Sequence, residues 1–282
     1  MRHFKEFTIN TEPFLPELIS GVLWDLEITG ITEEDTGLKV FSDAGKVNKN
    51  EIESLLDAIK AQGLITSFSV DEYEFEDRNW NEEWEKSLNV IEVSDRIVIK
   101  PSTREYKAKD NQLVLTIDPK MSFGTGEHQT TRLMLLMIEK YVQNDASVLD
   151  VGTGTGVLAI AAVKLGAKNA VAIDNDEWCY DNGIENCQIN SVADSVEIRL
   201  GEISQVEKKD FDLVLANINK NILMEISTEL RDHMKEDGTL ILSGLLFSDE
   251  EDIKNNYGKA GFAVIDKEQM NEWISLVMKL RV

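Results

Sequence analysis

The N-terminal part of the chain alternates apolar and polar positions in "HFKEFTI" (residues 3–9), the period-two pattern of a strand. In "FLPELISGVLWDL" (14–26) Phe14, Leu18, Val22 and Leu26 recur at helical spacing. "EITGI" (27–31) and "GLKVFSD" (37–43) flank the acidic turn "TEEDT" as a hairpin. Asn48 followed by Glu51 predicts an N-cap and its reciprocal partner, opening a helix over "EIESLLDAIKAQG" that Gly63 stops. "LITSFSVDEYEF" (64–75) returns as a strand. The order β-α-β-β-α-β predicts a small ferredoxin-like α+β domain over residues 1–75.

A charged connector bearing Trp80 and Trp84 covers residues 76–90 and is expected to link two domains. After it, "NVIEVSDRIVIKPS" (89–102) and "QLVLTIDP" (112–119) predict further strands. From about 132 the rhythm becomes strand then long helix: "SVLDV", "AVAIDN", "VEIRL", "FDLVLANI" and "GTLILSG" are the strands, with "FAVIDKEQM" and "WISLVMKLR" as a closing hairpin. Residues 91–282 are therefore expected to form an α/β domain, a doubly wound Rossmann-like parallel sheet with an antiparallel C-terminal edge hairpin. Ligands of such sheets bind beyond the carboxyl ends of the strands, at the point where strand order reverses.

"SVLDVGTGTGVLAIAAVKLGA" (147–167) supplies the candidate chemistry there. Read from Gly154, "GTGVLA" fits a dinucleotide fingerprint, and Asp174 stands where a ribose-binding acid belongs. Read from Gly152, the motif is "DVGTGTG", with Asp150 two residues before the first glycine. An acid in that place opposes a pyrophosphate and suits a cationic ligand such as the ammonium or sulfonium of S-adenosylmethionine. On either reading Gly152 and Gly154 permit close backbone approach, and Asp174 can accept from both ribose hydroxyls. Glu202, after "VEIRLG", is a candidate reader of the adenine edge or a plain surface carboxylate. A turn that holds no ligand is the third reading.

Composition narrows the partners. The chain has 282 residues, 42% of them hydrophobic, enough for a full core. No apolar run reaches membrane-spanning length, and "MRHFKEFTIN" lacks the apolar core of a signal peptide, so a cytoplasmic location is expected. Cys179 and Cys187 fall in one predicted helix and read as buried thiols. No Cys, His and carboxylate spacing suggests a metal. With 52 acidic and 29 basic residues the net charge is −23, which opposes direct binding to nucleic acid and to anionic membrane. The acidic stretch "DEYEFEDRNWNEEWE" (71–85) is either a solvated surface or a face that steers a basic partner.

Two more segments carry a resemblance. "MSFGTGEHQTT" (121–131) puts a glycine-rich turn and paired threonines before the helix that leads into the glycine strand, and "LANINKNIL" (215–223) puts Asn217 at the end of a strand. With "DVGTGTGVLAIAAVKLGA" and "AIDND" they resemble the methyltransferase family of large-subunit ribosomal protein L-eleven, across nearly the whole chain. Threonines stand at 153 and 155, where many relatives carry cysteine and serine. The resemblance implies a class I S-adenosylmethionine-dependent domain behind a substrate-recognition domain. It implies cofactor contact at Thr131, Gly152, Asp174 and Asn217, and a covering loop at His128 with Phe123 as an apolar wall. The implied substrate is a basic ribosomal protein, methylated on lysine or N-terminal amines. Another amine substrate on the same fold and a dinucleotide-dependent oxidoreductase are the alternatives.

The resemblance also implies a catalytic place for Asn217, at the strand end where such enzymes keep an amide or acid beside the reacting methyl, and the chemistry agrees with it. A lysine with pKa near 10.4 is neutral in about one molecule in 2,500 at pH 7, a handicap of roughly 4–5 kcal/mol; an α-amine loses only roughly 1 kcal/mol. A carboxylate touching the amine would hold the proton on it, whereas the neutral Asn217 side chain can orient the lone pair without doing so.

Overall fold

The computed structural model describes residues 3–281 apart from 25, 35, 36, 44, 77–87 and 121. It divides into two compact units, Met1–Trp80 and Asn81–Val282. Most of the expected connector at 76–90, with Trp80 and Trp84, lies outside the described residues, as does the greater part of the acidic stretch beyond Glu76.

The first unit runs β1 (His3–Glu12), α1 (Pro16–Leu23), β2 (Gly30–Glu33), β3 (Gly37–Asp43), α2 (Lys49–Ala61), β4 (Ser67–Glu76). Its antiparallel sheet has the order β2-β3-β1-β4. One sheet face, with Phe7, Ile9, Leu38, Val40 and Val70, packs on Ile52, Leu56 and Ile59 of α2. The Asn48 cap forms as its spacing predicts: its side chain accepts from the Glu51 backbone N–H, and the Glu51 carboxylate accepts from the Asn48 N–H. Helix α1 departs from its expected face. It is two turns long, starting at Pro16, whose fixed φ suits a first helical position. The buried stripe is Ile19 and Leu23, while Leu18 is 37% exposed. Phe14, Val22 and Leu26 of the expected stripe pack partly buried against the same core, so the face is turned only far enough to bury Ile19 and Leu23 fully and leave Leu18 out.

The second unit begins with a three-stranded sheet, β5 (Ile91–Glu92), β6 (Ile97–Lys100) and β7 (Leu113–Thr116). Then come α3 (Gln129–Tyr141), β8 (Ser147–Val151), α4 (Val157–Lys164), β9 (Asn169–Asp174), α5 (Glu177–Ile189), β10 (Val196–Leu200) and β11 (Phe211–Asn217). The chain closes with α6 (Lys220–Glu225), α7 (Ser227–Asp232), β12 (Met234–Leu246), α8 (Glu250–Lys259), β13 (Phe262–Met270) and β14 (Trp273–Leu280). The seven-stranded sheet has the order β10-β9-β8-β11-β12-β14-β13. Its first five strands are parallel, and β14 inserts antiparallel between β12 and β13. This is the doubly wound sheet with an antiparallel C-terminal hairpin that the strand–helix rhythm predicts. Helices cover both faces, which is why β8, β9 and β11 read as continuous apolar runs rather than alternating ones. Strand order reverses between β8 and β11, so the glycine turn and Asn217 leave the sheet side by side. Among the described residues no helix is long and apolar enough to cross a membrane.

The cap pair at α2 gives a test. Asn48→Ala is expected to destabilise the first unit by about 1 kcal/mol. Amide exchange should quicken along Lys49–Ala61 and stay unchanged in β8 and β11.

Candidate active site

Gly152, Gly154 and Gly156 all have positive φ, at +72°, +55° and +81°. At the first two a side chain is excluded by space as well. A Cβ on Gly152 would lie 2.2 Å from a methyl of Ile218, and one on Gly154 would lie 2.2 Å from the Phe123 carbonyl oxygen. The turn is anchored to β9, because the N–H groups of Gly152 and Thr153 both donate to the Ile173 carbonyl, at 2.9 and 3.2 Å. It is also clamped by the 122–126 loop: the Thr155 N–H donates to the Phe123 carbonyl and the Thr155 hydroxyl to the Gly124 carbonyl, both at 2.9 Å.

A cleft of about 440 Å³ opens beyond these strand ends. Ile173, Ile203, Ile218 and Ile222 give it apolar walls, and Gly152, Asp174 and Glu202 line it as well. The Asp174 carboxylate accepts from the Gly154 N–H at 2.9 Å and the Asp176 N–H at 3.2 Å. Two bonds leave lone-pair capacity on a group with about four acceptor sites.

Asp150 stands differently. It is fully buried behind the turn and does not line this cleft. The Thr153 hydroxyl donates to its Oδ2 at 2.6 Å. Its Oδ1 has no partner within hydrogen-bond geometry. Burial pushes the carboxyl up to about 7, opposed by the Thr153 hydroxyl and the nearby Ala159 N–H and reinforced by the charge of Asp174.

Unsatisfied polar atoms mark the same neighbourhood. Among the described residues, buried side-chain atoms without a partner are Ser122 Oγ, Thr131 Oγ1, Asp150 Oδ1, Asn217 Oδ1 and Asn256 Oδ1. All but the last belong to the segments singled out by motif. An orphaned buried acceptor is costly in a folded chain unless a ligand completes it. Thr131 lies in the first turn of α3, fully buried. Asn217 ends β11, one residue beyond the Ala216↔Val151 pair, which sets it beside Gly152. Asp174 and Glu202 place acceptors in the cleft lining, which fits a cofactor bearing hydroxyl and N–H donors, whereas Thr131, Asp150, Gly154 and Asn217 are not part of that lining.

His128 caps α3. Its Nδ1 lies 3.3 Å from the Thr130 backbone N and 2.8 Å from the Thr130 hydroxyl oxygen, which ties the ring to the first turn of the helix. Its ring is 5.5 Å from that of Phe123, which is half exposed, and 4.7 Å from that of Trp273. Cys187 is buried, its thiol pushed up to about 12 by desolvation, whereas Cys179 is only half-buried, unlike its expected place in the core. His233, without a partner that sequence identifies, lies against the carbonyls of Glu229 and Val206 at 2.7 and 2.9 Å. Sequence reasoning passed over Ser122, the Thr153 bond to Asp150 and the packing of Ile218 on Gly152. A hydroxyl three residues after an acid signals the second; nothing in the sequence signals the other two.

The raised Asp150 carboxyl sets a pH dependence. In the unfolded chain it titrates near 3.8 and in the folded chain near 7, so between those values the folded state binds the extra proton. Stability from this group is thus full below about 4 and falls as pH rises towards about 7. Asp150→Asn keeps an acceptor for Thr153 and removes the slope. Its melting temperature relative to wild type should climb from pH 5.5 to 7.5 and then level off; a constant difference would refute the assignment.

A family model described as ribosomal protein L11 methyltransferase matches residues 4–281. The ribosomal protein L11 methyltransferase of Chlorobaculum parvum is 38% identical over 97% of this chain and 96% of its own length. That of Chlorobaculum tepidum is 37% identical over the same shares. A crystal structure of ribosomal protein L11 methylase from Lactobacillus delbrueckii subsp. bulgaricus superposes with a TM-score of 0.65 at 33% identity, covering 69% of this chain and 100% of that one. The large unit thus has the class I Rossmann-like methyltransferase fold. Matched by that family model over nearly its whole length and by these relatives at 33–38% identity, the chain belongs to the ribosomal protein L11 methyltransferase family.

Proposed function

We propose that the protein transfers methyl groups from S-adenosylmethionine to lysine or N-terminal amines of ribosomal protein L11. The observation that carries this reading is the unsatisfied Oδ1 of Asn217, buried at the end of β11 beside the glycine turn. The relatives' names supply the substrate, and the net charge of −23 suits a basic protein far better than a nucleic acid. S-adenosylmethionine, when bound, supplies a methyl group on a positively charged sulfur, already activated for displacement.

The chain's task is then to position and to control protons. Gly152 and Gly154 let the backbone approach the cofactor closely, Asp174 accepts from the ribose hydroxyls, and Glu202 faces the base across the cleft. Thr131 Oγ1 is a further polar hold from α3. Asp150 acts through the turn: a cation on the other side favours its ionised form, and its charge favours the cation in return. Asn217 Oδ1 accepts an N–H from the attacking amine and orients its lone pair without taking its proton. The first unit serves as the docking domain; Asp71 of β4 is exposed there, beside Glu72, which is paired with Lys5, and this acidic strand suits lysine-rich chemistry. Under this reading the protein works in the cytoplasm, where its substrate is made.

Ligand-induced stabilisation tests the cofactor. S-adenosylhomocysteine at a hundred times its Kd should stabilise the folded chain by about 2.7 kcal/mol and raise the melting temperature, while NAD leaves it unchanged. The reverse pattern would establish the dinucleotide reading instead.

Asn217 is tested by two substitutions. Asn217→Asp puts a carboxylate against the amine, stabilises the ammonium and shifts the rate profile to higher pH. Asn217→Ala should lower kcat by about 10- to 100-fold, the worth of one hydrogen bond to a group gaining charge, with a smaller change in cofactor affinity. An unmoved pH profile together with lost affinity would make Asn217 a binding residue only.

A further inference from the structure

Asn182 and Asn186 of α5 and Asn190, its C-cap, recur every fourth residue and are 2%, 0% and 6% exposed. Buried amides on a helix need partners outside it. These find them in the backbone of residues 116–118, which continues β7 towards the 122–126 loop. Asn190 accepts the Thr116 N–H at 3.0 Å and donates to the Thr116 carbonyl at 2.6 Å. Asn186 accepts the Asp118 N–H at 3.0 Å and donates to the Asp118 carbonyl at 3.2 Å, where Asn182 also donates at 2.8 Å. The helix thereby offers side-chain amides in place of a neighbouring strand.

Asn186 does one thing more. Its Nδ2 also donates to the Thr155 carbonyl at 3.0 Å, inside the glycine turn. Thr155 is already held through its N–H and hydroxyl by Phe123 and Gly124. A single amide thus closes a ring of bonds: it grips the segment that enters the 122–126 loop, and it grips the turn to which that loop is clamped.

We propose that Asn186 is a positioning residue for cofactor binding, fixing the separation between the glycine turn and the base of the 122–126 loop. The inference rests on the reading of this cleft as the S-adenosylmethionine site. Asn190 is the built-in comparison, because it makes the same kind of backbone pair with Thr116 and has no bond to the turn. A role confined to stability would treat the two alike. A positioning role separates them.

The experiment compares full-length wild type, Asn186→Leu, Asn186→Asp and Asn190→Leu, each shown to be folded by circular dichroism, with calorimetric titration of S-adenosylhomocysteine. Asn186→Asp keeps the oxygen that accepts from Asp118 and sets a second oxygen against the Thr155 and Asp118 carbonyls. Both Leu variants should melt at lower temperature. Only the two Asn186 variants should raise the Kd, by about tenfold for one lost hydrogen bond, with kcat at saturating cofactor within about twofold of wild type. If Asn186→Leu does not fold, Asn186→Ser, which keeps a small donor, carries the comparison. Wild-type Kd in the Asn186 variants, or an equal rise in Asn190→Leu, overturns the proposal. Wild type that binds no S-adenosylhomocysteine overturns the cofactor reading itself, which separates the two failures.

Discussion

The left-handed backbone of the turn at Gly152, Gly154 and Gly156 is the constraint on which the site depends. Two other parts of the chain come within contact distance of that backbone only because it carries no side chains. Ile218, just past β11, fills the place of a Gly152 Cβ, and the Phe123 carbonyl fills that of Gly154. Gly183 of α5 lies 3.6 Å from where a Gly156 Cβ would stand. The relation is reciprocal, since a Cβ on Gly124 would sit 2.6 Å from the Thr155 hydroxyl oxygen. One run of small residues therefore draws the carboxyl end of a strand and a loop to one point, with α5 in ordinary contact beside them. The sheet supplies the place, because strand order reverses between β8 and β11 there.

Around that point the chain keeps polar groups in a state that costs stability. A carboxyl with one oxygen unsatisfied lies under the turn, and two hydroxyls and an amide oxygen of the neighbouring segments are buried without partners. Most proteins remove such atoms or pair them. Their retention at the strand ends, within otherwise apolar packing, is the signature of a site completed by something brought from outside. Under the function proposed here, a sulfonium donor and an amine would answer it in charge and in hydrogen bonding, with the cation near Asp150 and an N–H towards Asn217.

Much of the fold is legible because burial and periodicity agree. β8, β9 and β11 are covered on both faces, so their apolar runs leave one reading, and the Asn48–Glu51 pair starts α2 where it stands in sequence. Helix α1 is the counter-case: Phe14, Val22 and Leu26 of the expected stripe stay partly buried, and only packing on the core sets Ile19 and Leu23 fully in and Leu18 out. In the site, Gly152, Gly154 and Asp174 are legible because a tight turn and a strand-end acid have local signatures. Ser122 has none, since burial without a partner is a property of surroundings. The asparagines of α5 and its C-cap are visible as a spacing, but their partners at 116–118 are some seventy residues away along the chain.

What the sequence determined by itself is thus what the backbone and its nearest neighbours dictate: the alternation of strand and helix, the glycines that admit positive φ, the acid that ends the next strand, and a charge of −23 that limits the partners. Tertiary structure alone decided the rest. It buried Asp150 and so raised its carboxyl to about 7, left Asn217 Oδ1 unpaired, and joined Asn186 to both Asp118 and Thr155. Each of those depends on which distant groups displace water from a side chain. Desolvation and hydrogen-bond completion are properties of the packed molecule, and no local pattern of residues encodes them.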